Sequence, residues 1–372
     1  MKTIVIDGLG LIGGSIALAI RKTWPGHRIL AVDVDHEALS IAKDRGMIDS
    51  GFRRLETAVG EADVIIMAAP IHIILAHLER LADLSLKPQV IVTDVGSTKS
   101  AILERAKPLA QRGIRFIGGH PMAGSHKSTV RAARANLFQS AYYFLVPAAA
   151  EPHYREAVRV LRTLLAGLNV KWLTVTAERH DRIVAQISHL PHIVAAALVN
   201  LAQDSFSDSP LSLRLAAGGF HSITRIASSD PTMWTDILLN NRRLLIDKID
   251  SFDCLLRKIR QALISTDDES IRSFFQRAKT TRDGLNRQSG PARNFYDLFI
   301  NIPDKIGSIA EVTSVLTTAG INLVNLHILE IREEIDGVLQ LTFSSEKDRT
   351  QAASELSRHG WRALGGDGSW RK

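Results

Sequence analysis

A chain of 372 residues, 45% hydrophobic and 23% charged, has room for two or three domains and is too ordinary in composition for a disordered or collagen-like protein. The net charge of +7 raises a nucleic-acid partner. However, acidic residues interleave with the basic ones and long runs of like charge are missing, which leaves either a protein that handles small anions or a solvated basic surface. A single cysteine, Cys254, excludes an internal disulfide framework and suits a reducing compartment, so a soluble cytoplasmic protein is expected. The N-terminus enters a strand-like segment without the apolar run of a signal peptide. Apolar stretches fall short of the roughly 20 residues of a membrane span, so no membrane partner is expected either.

In chain order, short apolar runs alternate with helical periodicity. The runs are Thr3–Asp7, Arg28–Asp33, Asp63–Ala69, Gln89–Asp94, Arg115–Gly118, Tyr142–Val146 and Lys171–Val175. Near-continuous apolar strands separated by helices predict a parallel sheet covered on both faces, an α/β doubly wound Rossmann fold over residues 1–170. From about His180 the pattern is helical, and residues 171–285 read as an all-α domain. Asp230 is placed to cap a helix that has Pro231 at its first position. Apolar residues at three- and four-residue steps extend that helix to about Ile264, and so long a stripe predicts a homodimer through the helical domain. Asn286–Asn294 reads as a linker. Residues 294–372 follow a βαββαβ order, the ferredoxin-like α+β plan.

Gly8-Leu9-Gly10-Leu11-Ile12-Gly13 fits G-x-G-x-x-G, follows a strand, opens a helix, and precedes an acid, Asp33, by about 20 residues. This context predicts a dinucleotide site, with pyrophosphate on the helix N-terminus and the Asp33 carboxylate on the adenosine ribose, so NAD rather than NADP. Two further clusters sit at strand ends, Asp94–Lys99 and Gly118–Ser125. His120 is a candidate general base, its ordinary pKa of about 6.5 leaving the imidazole free to take a hydroxyl proton. Lys99 could supply an ammonium or simply cap the next helix. In the helical part, Pro191 should kink a helix between His189 and His192. Arg225 could hold a carboxylate or make a surface ion pair. The histidines match no recognised metal-ligand spacing, and no metal is expected.

Together, GLGLIGGS at Gly8–Ser15, DVGSTK at Asp94–Lys99, GGHPMAGS at Gly118–Ser125, SHLPH at Ser188–His192 and TRIASSDPTMW at Thr224–Trp234 resemble prephenate dehydrogenases. The segment Ile302–Leu326 resembles an ACT domain, an amino-acid-sensing module. The resemblance implies oxidative decarboxylation of prephenate with NAD. It implies His120 as proton acceptor, Ser97 bonded to the ring hydroxyl and orienting that histidine, Arg225 on a substrate carboxylate, and His192, Ser125 and Trp234 lining the pocket. It further implies tyrosine as effector, with Asp304, Gly307 and Asn322 as candidate contacts. Ser222 and His126 stand where the family often carries an acid, which leaves the closing of the site open. The alternatives are an arogenate dehydrogenase, a β-hydroxyacid dehydrogenase, for which a catalytic lysine on the first long helix is wanting, and a non-catalytic sensor of NAD and an amino acid.

Overall fold

The computed structural model describes residues 1–124, 129–148, 152–207, 215–287, 296–303, 305–328, 337–361 and 363–364. They form two compact units, Met1–Lys258 and Ile259–Lys372.

In the first unit, strands β1 (Thr3–Asp7), β2 (Arg28–Val32), β3 (Ser50–Phe52), β4 (Val64–Met67), β5 (Ile91–Asp94), β6 (Arg115–Pro121), β7 (Tyr142–Pro147) and β8 (Lys171–Thr174) make one sheet in the order β3-β2-β1-β4-β5-β6-β7-β8. Helices α1 (Leu11–Thr23), α2 (His36–Asp44), α3 (Ile71–Asp83), α4 (Ser100–Gln111) and α5 (Pro152–Leu164) accompany it. The period-two alternation of a strand divides its side chains between two apolar layers. Ile4 and Ile6 of β1 enter one layer while Val5 enters the other, and Val64 and Ile66 are likewise separated from Ile65 and Met67 in β4. Each of these side chains is fully buried, which contributes about 1.5–3 kcal/mol apiece. Strands β1 to β6 are parallel as expected, but β7 pairs antiparallel with β6, and β8 runs with β7. Periodicity reports burial on both faces and not strand direction, so this reversal was not legible in the sequence.

The helical part begins with α6 (Ala177–Val184), a π turn at Ala185–His189, and α7 (Leu190–Ser205). The chain meets Pro191 with a widened turn instead of a break, a usual accommodation of a disturbed hydrogen-bond ladder. The resulting helical run, Ala177–Ser205, is long and apolar enough to cross a membrane by length and composition, which corrects the sequence-based expectation that no such stretch exists. It also carries the buried polar residues His180, Asp181 and His189. Next come α8 (Gly218–Thr224), α9 (Pro231–Asn240) and α10 (Arg242–Ile264). Asp230 caps α9 by accepting from the Met233 amide at 2.7 Å, as expected. The single helix expected to reach Ile264 is instead interrupted at Asn241, whose buried side chain bonds elsewhere in the site.

The second unit holds the rest of α10 and then α11 (Asp268–Arg287), β9 (Tyr296–Ile302), α12 (Ser308–Thr318), β10 (Asn325–Ile328), β11 (Gly337–Phe343), α13 (Glu346–Arg358) and β12 (Ala363–Leu364). The sheet order β10-β11-β9-β12, antiparallel throughout, is the expected ferredoxin-like plan. In β11, Leu339, Leu341 and Phe343 are buried while Gln340 and Thr342 on the opposite face bond to Asp297. Residues 288–294 of the expected linker lie outside the described residues.

Candidate active site

The loop after β1 is built for close approach. Gly8 has φ +103°, and a Cβ there would lie 2.7 Å from the Ala69 amide nitrogen, while a Cβ on Gly13 would lie 2.0 Å from the Gly8 carbonyl oxygen. Leu9 and Leu11 are buried, Ile12 packs on the core, and Gly10 is the N-cap of α1 without a side-chain cap. The helix N-terminus thus keeps backbone donors for an anion. Asp33, just past β2, accepts from the Leu9 amide at 2.7 Å and the Asp35 amide at 2.9 Å, which places its carboxylate beside the glycine loop. The space denied to a Cβ, the free helix end and the carboxylate at the second strand all fit NAD.

Strand β6 lies three strands from β1, on the order of 14 Å at about 4.8 Å per strand. His120 lies within β6, which runs to Pro121, and not in a loop beyond it as the sequence suggested. Gly119 lets the strand press inward, since a Cβ there would sit 2.3 Å from the Asp94 carbonyl oxygen. Asp94 accepts from the Gly119 and Gly96 amides and from the Lys99 ammonium. Lys99 is fully buried in that pair, so it is neither an ammonium presented to a cleft nor a side-chain cap on α4. Its pKa is lowered, burial outweighing the attraction of Asp94.

The partner of His120 is His180 on α6, with Nδ1 2.8 Å from His180 Nε2, and His180 Nδ1 is in turn 2.7 Å from Asp181 Oδ1. Asp181 also accepts from the Lys99 and Ser100 amides at 2.7 and 2.8 Å. Ser97 is half-buried in the loop between β5 and α4 and makes no hydrogen bond to His120. Burial holds His120 well below the ordinary histidine value, and the nearness of His180, Lys99 and His189 adds to the lowering. Burial likewise lowers His180, against the pull of Asp181, and takes His189 to about 4. Asn241 Nδ2 donates to the Asp181 carbonyl and to His189 Nδ1, leaving the proton of neutral His189 on Nε2. His189 Nε2 and the Trp234 indole nitrogen are buried without partners among the described residues.

His192 Nδ1 donates to the Ser188 carbonyl, and its ring stacks on Trp234 with centroids 3.7 Å apart. Its pKa is lowered by burial first and by the Arg225 charge as well, so Arg225 shares this neighbourhood. Arg225 is exposed and has no ion-pair partner among the described residues, and Ser222 is exposed nearby in the chain. Ser125, His126 and Asp304 lie outside the described residues. In the second unit Gly307 caps α12 with φ +97°, and Asn322 is exposed. The sequence pattern assigned no role to His180 or Asp181, and it gave no sign of Asn241, an asparagine in an otherwise regular helical pattern.

Residues 16–174 match the family model "Prephenate dehydrogenase, nucleotide-binding domain", and residues 176–277 match "Prephenate dehydrogenase, dimerization domain". The chain is 44% identical to the prephenate dehydrogenase of Bacillus subtilis over 94% of each chain. It belongs to the prephenate dehydrogenase family. The family's prephenate dehydrogenase from Aquifex aeolicus, solved with hydroxyphenyl propionate and NAD+, is 28% identical with a TM-score of 0.69, covering 77% of this chain and 98% of that one. The Synechocystis arogenate dehydrogenase is 32% identical with a TM-score of 0.64, covering 76% and 99%. The chain is therefore an oxidoreductase with an NAD-binding domain and a helical dimerization domain, followed by a small α+β region of ferredoxin-like order.

Asp33 carries a cofactor prediction. Replacing it with asparagine removes the charge that repels a 2′-phosphate, so the preference for NAD over NADP, read as the ratio of kcat/KM values, is expected to shrink about tenfold. An unchanged ratio would mean that the carboxylate serves only the glycine loop.

Proposed function

We propose that this chain converts prephenate to 4-hydroxyphenylpyruvate and carbon dioxide, with His120 as the proton acceptor. The observation that carries this reading is a buried, neutral histidine at the carboxyl edge of the sheet, held by His180 and three strands from the glycine loop. Bound NAD supplies the hydride acceptor. His120 takes the hydroxyl proton as hydride leaves the same ring carbon. Loss of the ring carboxylate as carbon dioxide sends its bonding pair into the ring, and the resulting phenolate oxygen takes the proton back. Ser97 is assigned to the hydroxyl and Arg225 to a substrate carboxylate, with His192, Trp234 and Ser125 lining the pocket. The unpartnered Trp234 and His189 N–H groups suit a dianion, because buried donors are rarely left unpaired once a ligand is present. NADH absorbance on adding prephenate tests the reading, and an enzyme inert to prephenate but active on arogenate would replace the substrate, as the Synechocystis relative allows.

Exposed Leu198, Leu201, Ile246, Ile249 and Leu256, all within the stretch that matches the dimerization model, support a homodimer through the helical domain. A single exposed cysteine suits the reducing cytoplasm as its location. We assign the domains to residues 1–170, 171–285 and 294–372.

Tyrosine is the proposed effector of the third domain. The loop that begins at Asp304 in the sequence leads through the open backbone at Gly307 into α12, whose N-terminus can take an amino acid's carboxylate, with Asn322 meeting its ammonium across a dimer interface. Asn322→Ala in the full chain is expected to raise the tyrosine concentration for half-inhibition about tenfold, a coupling loss within the usual 1–3 kcal/mol, while kcat stays unchanged. Inhibition that is purely competitive with prephenate and insensitive to this change places tyrosine in the active site instead.

A further inference from the structure

We propose that His180 and Asp181 form a relay that locks His120 in the tautomer whose Nε2 keeps a free lone pair, so that both are positioning residues for proton transfer. The inference deepens the reading of His120 as the base and rests on it. The assignment of protons runs from the buried end outwards. Asp181 is 1% exposed and its carboxylate accepts two backbone N–H groups, from Lys99 and Ser100. Hydrogen bonds from His180 and Ser100 keep it ionised despite its burial. An ionised carboxylate only accepts, so the proton on the His180 ring sits on Nδ1, which faces Asp181 Oδ1 at 2.7 Å. His180 is fully buried and held neutral, so its Nε2 is bare. The atom 2.8 Å away, His120 Nδ1, must then be the donor. That leaves His120 Nε2 as the proton acceptor, which is the form a general base needs.

The relay is held on every side. The Asn241 amide fixes the Asp181 carbonyl at 3.1 Å, Phe144 of β7 packs edge-on against the His180 ring, and the two amides taken by Asp181 open α4, which follows the Ser97 loop. The charged and titratable groups around it are Lys99 from the start of α4, Asp94 from β5 and His189 from the π turn. Asp181 thereby does for α4 what a local N-cap would do, and couples the helical part to the loop beside the base. In a serine-protease triad the corresponding loss of tautomer control, aspartate to asparagine, costs about 10⁴ in kcat.

The test uses the full chain. Histidine ¹⁵N spectra, with the His120 signals assigned by their loss in His120→Asn, should show Nδ1 protonated and Nε2 bare in the wild type. His180→Leu should lower kcat about 10²-fold with KM for prephenate and for NAD changed by less than about threefold. His180→Gln, whose side-chain carbonyl can accept the Nδ1 proton, should recover about tenfold of that loss. A purely structural His180 would give no such split and no rescue. The relay is overturned by a wild-type His120 protonated on Nε2, by a leucine variant with near wild-type kcat, or by a glutamine variant no better than leucine. If the leucine variant does not fold, the wild-type spectrum and the glutamine variant still decide. Failure of the wild type to turn over prephenate would instead refute the function reading, while the tautomer spectrum judges the relay independently.

Discussion

Replacing His120 with asparagine is expected to lower kcat by about two to four orders of magnitude, the usual contribution of a positioned general base, with little change in KM. Asparagine is near in size and can still occupy the space beside His180 and Phe144, so the loss isolates proton acceptance from packing. The pH profile has a defined sign. A base works when unprotonated, and burial together with neighbouring positive charge holds His120 below its ordinary value. The wild-type enzyme is therefore fully competent at neutral pH, and kcat/KM should decline only as pH falls through a value below 6.5. Stopped assays of NADH formation across acid pH, in both wild type and variant, give the comparison. A variant with near wild-type kcat removes His120 from the chemistry. An acid limb above the ordinary histidine value would mean that the free enzyme's essential base is another group.

Arg225→Ala should act on binding. A charge-assisted hydrogen bond to a carboxylate is worth about 1.5–3 kcal/mol, so KM for prephenate is expected to rise about 10- to 150-fold while KM for NAD holds. Lysine should rescue poorly, because a point charge does not reproduce the planar fork. An independent readout lies in His192, which the Arg225 charge helps to depress. In the alanine variant His192 should titrate higher than in the wild type. Equal weakening of prephenate and NAD, with His192 unmoved, would assign Arg225 to support of the fold.

Much of the molecule is written locally. The glycine pattern, the acid at the end of β2, the alternation of apolar strands and helices, the Asp230-Pro231 helix start and the βαββαβ order of the C-terminal region are set by steric demands and burial periods that act within a few residues. These determined the fold class and the nucleotide end of the site, and His120 could be singled out because of the glycines and proline that flank it. What depended on tertiary structure was direction, continuity and partnership. Antiparallel β7 has the same apolar run as a parallel strand. The helix breaks at Asn241, whose side chain bonds the distant residues Asp181 and His189, and neither the break nor those partners leave a mark on helical periodicity. Lys99 reads as a free cation until its burial against Asp94 is seen. The same holds for the orientation of His120. Sixty residues separate it from His180, and only the packing of α6 against the sheet brings the two rings within hydrogen-bond distance. Local sequence therefore determined which residue could be a base, and long-range packing decided which nitrogen carries its proton, because a tautomer is chosen by the partner across the fold and not by the neighbours along the chain.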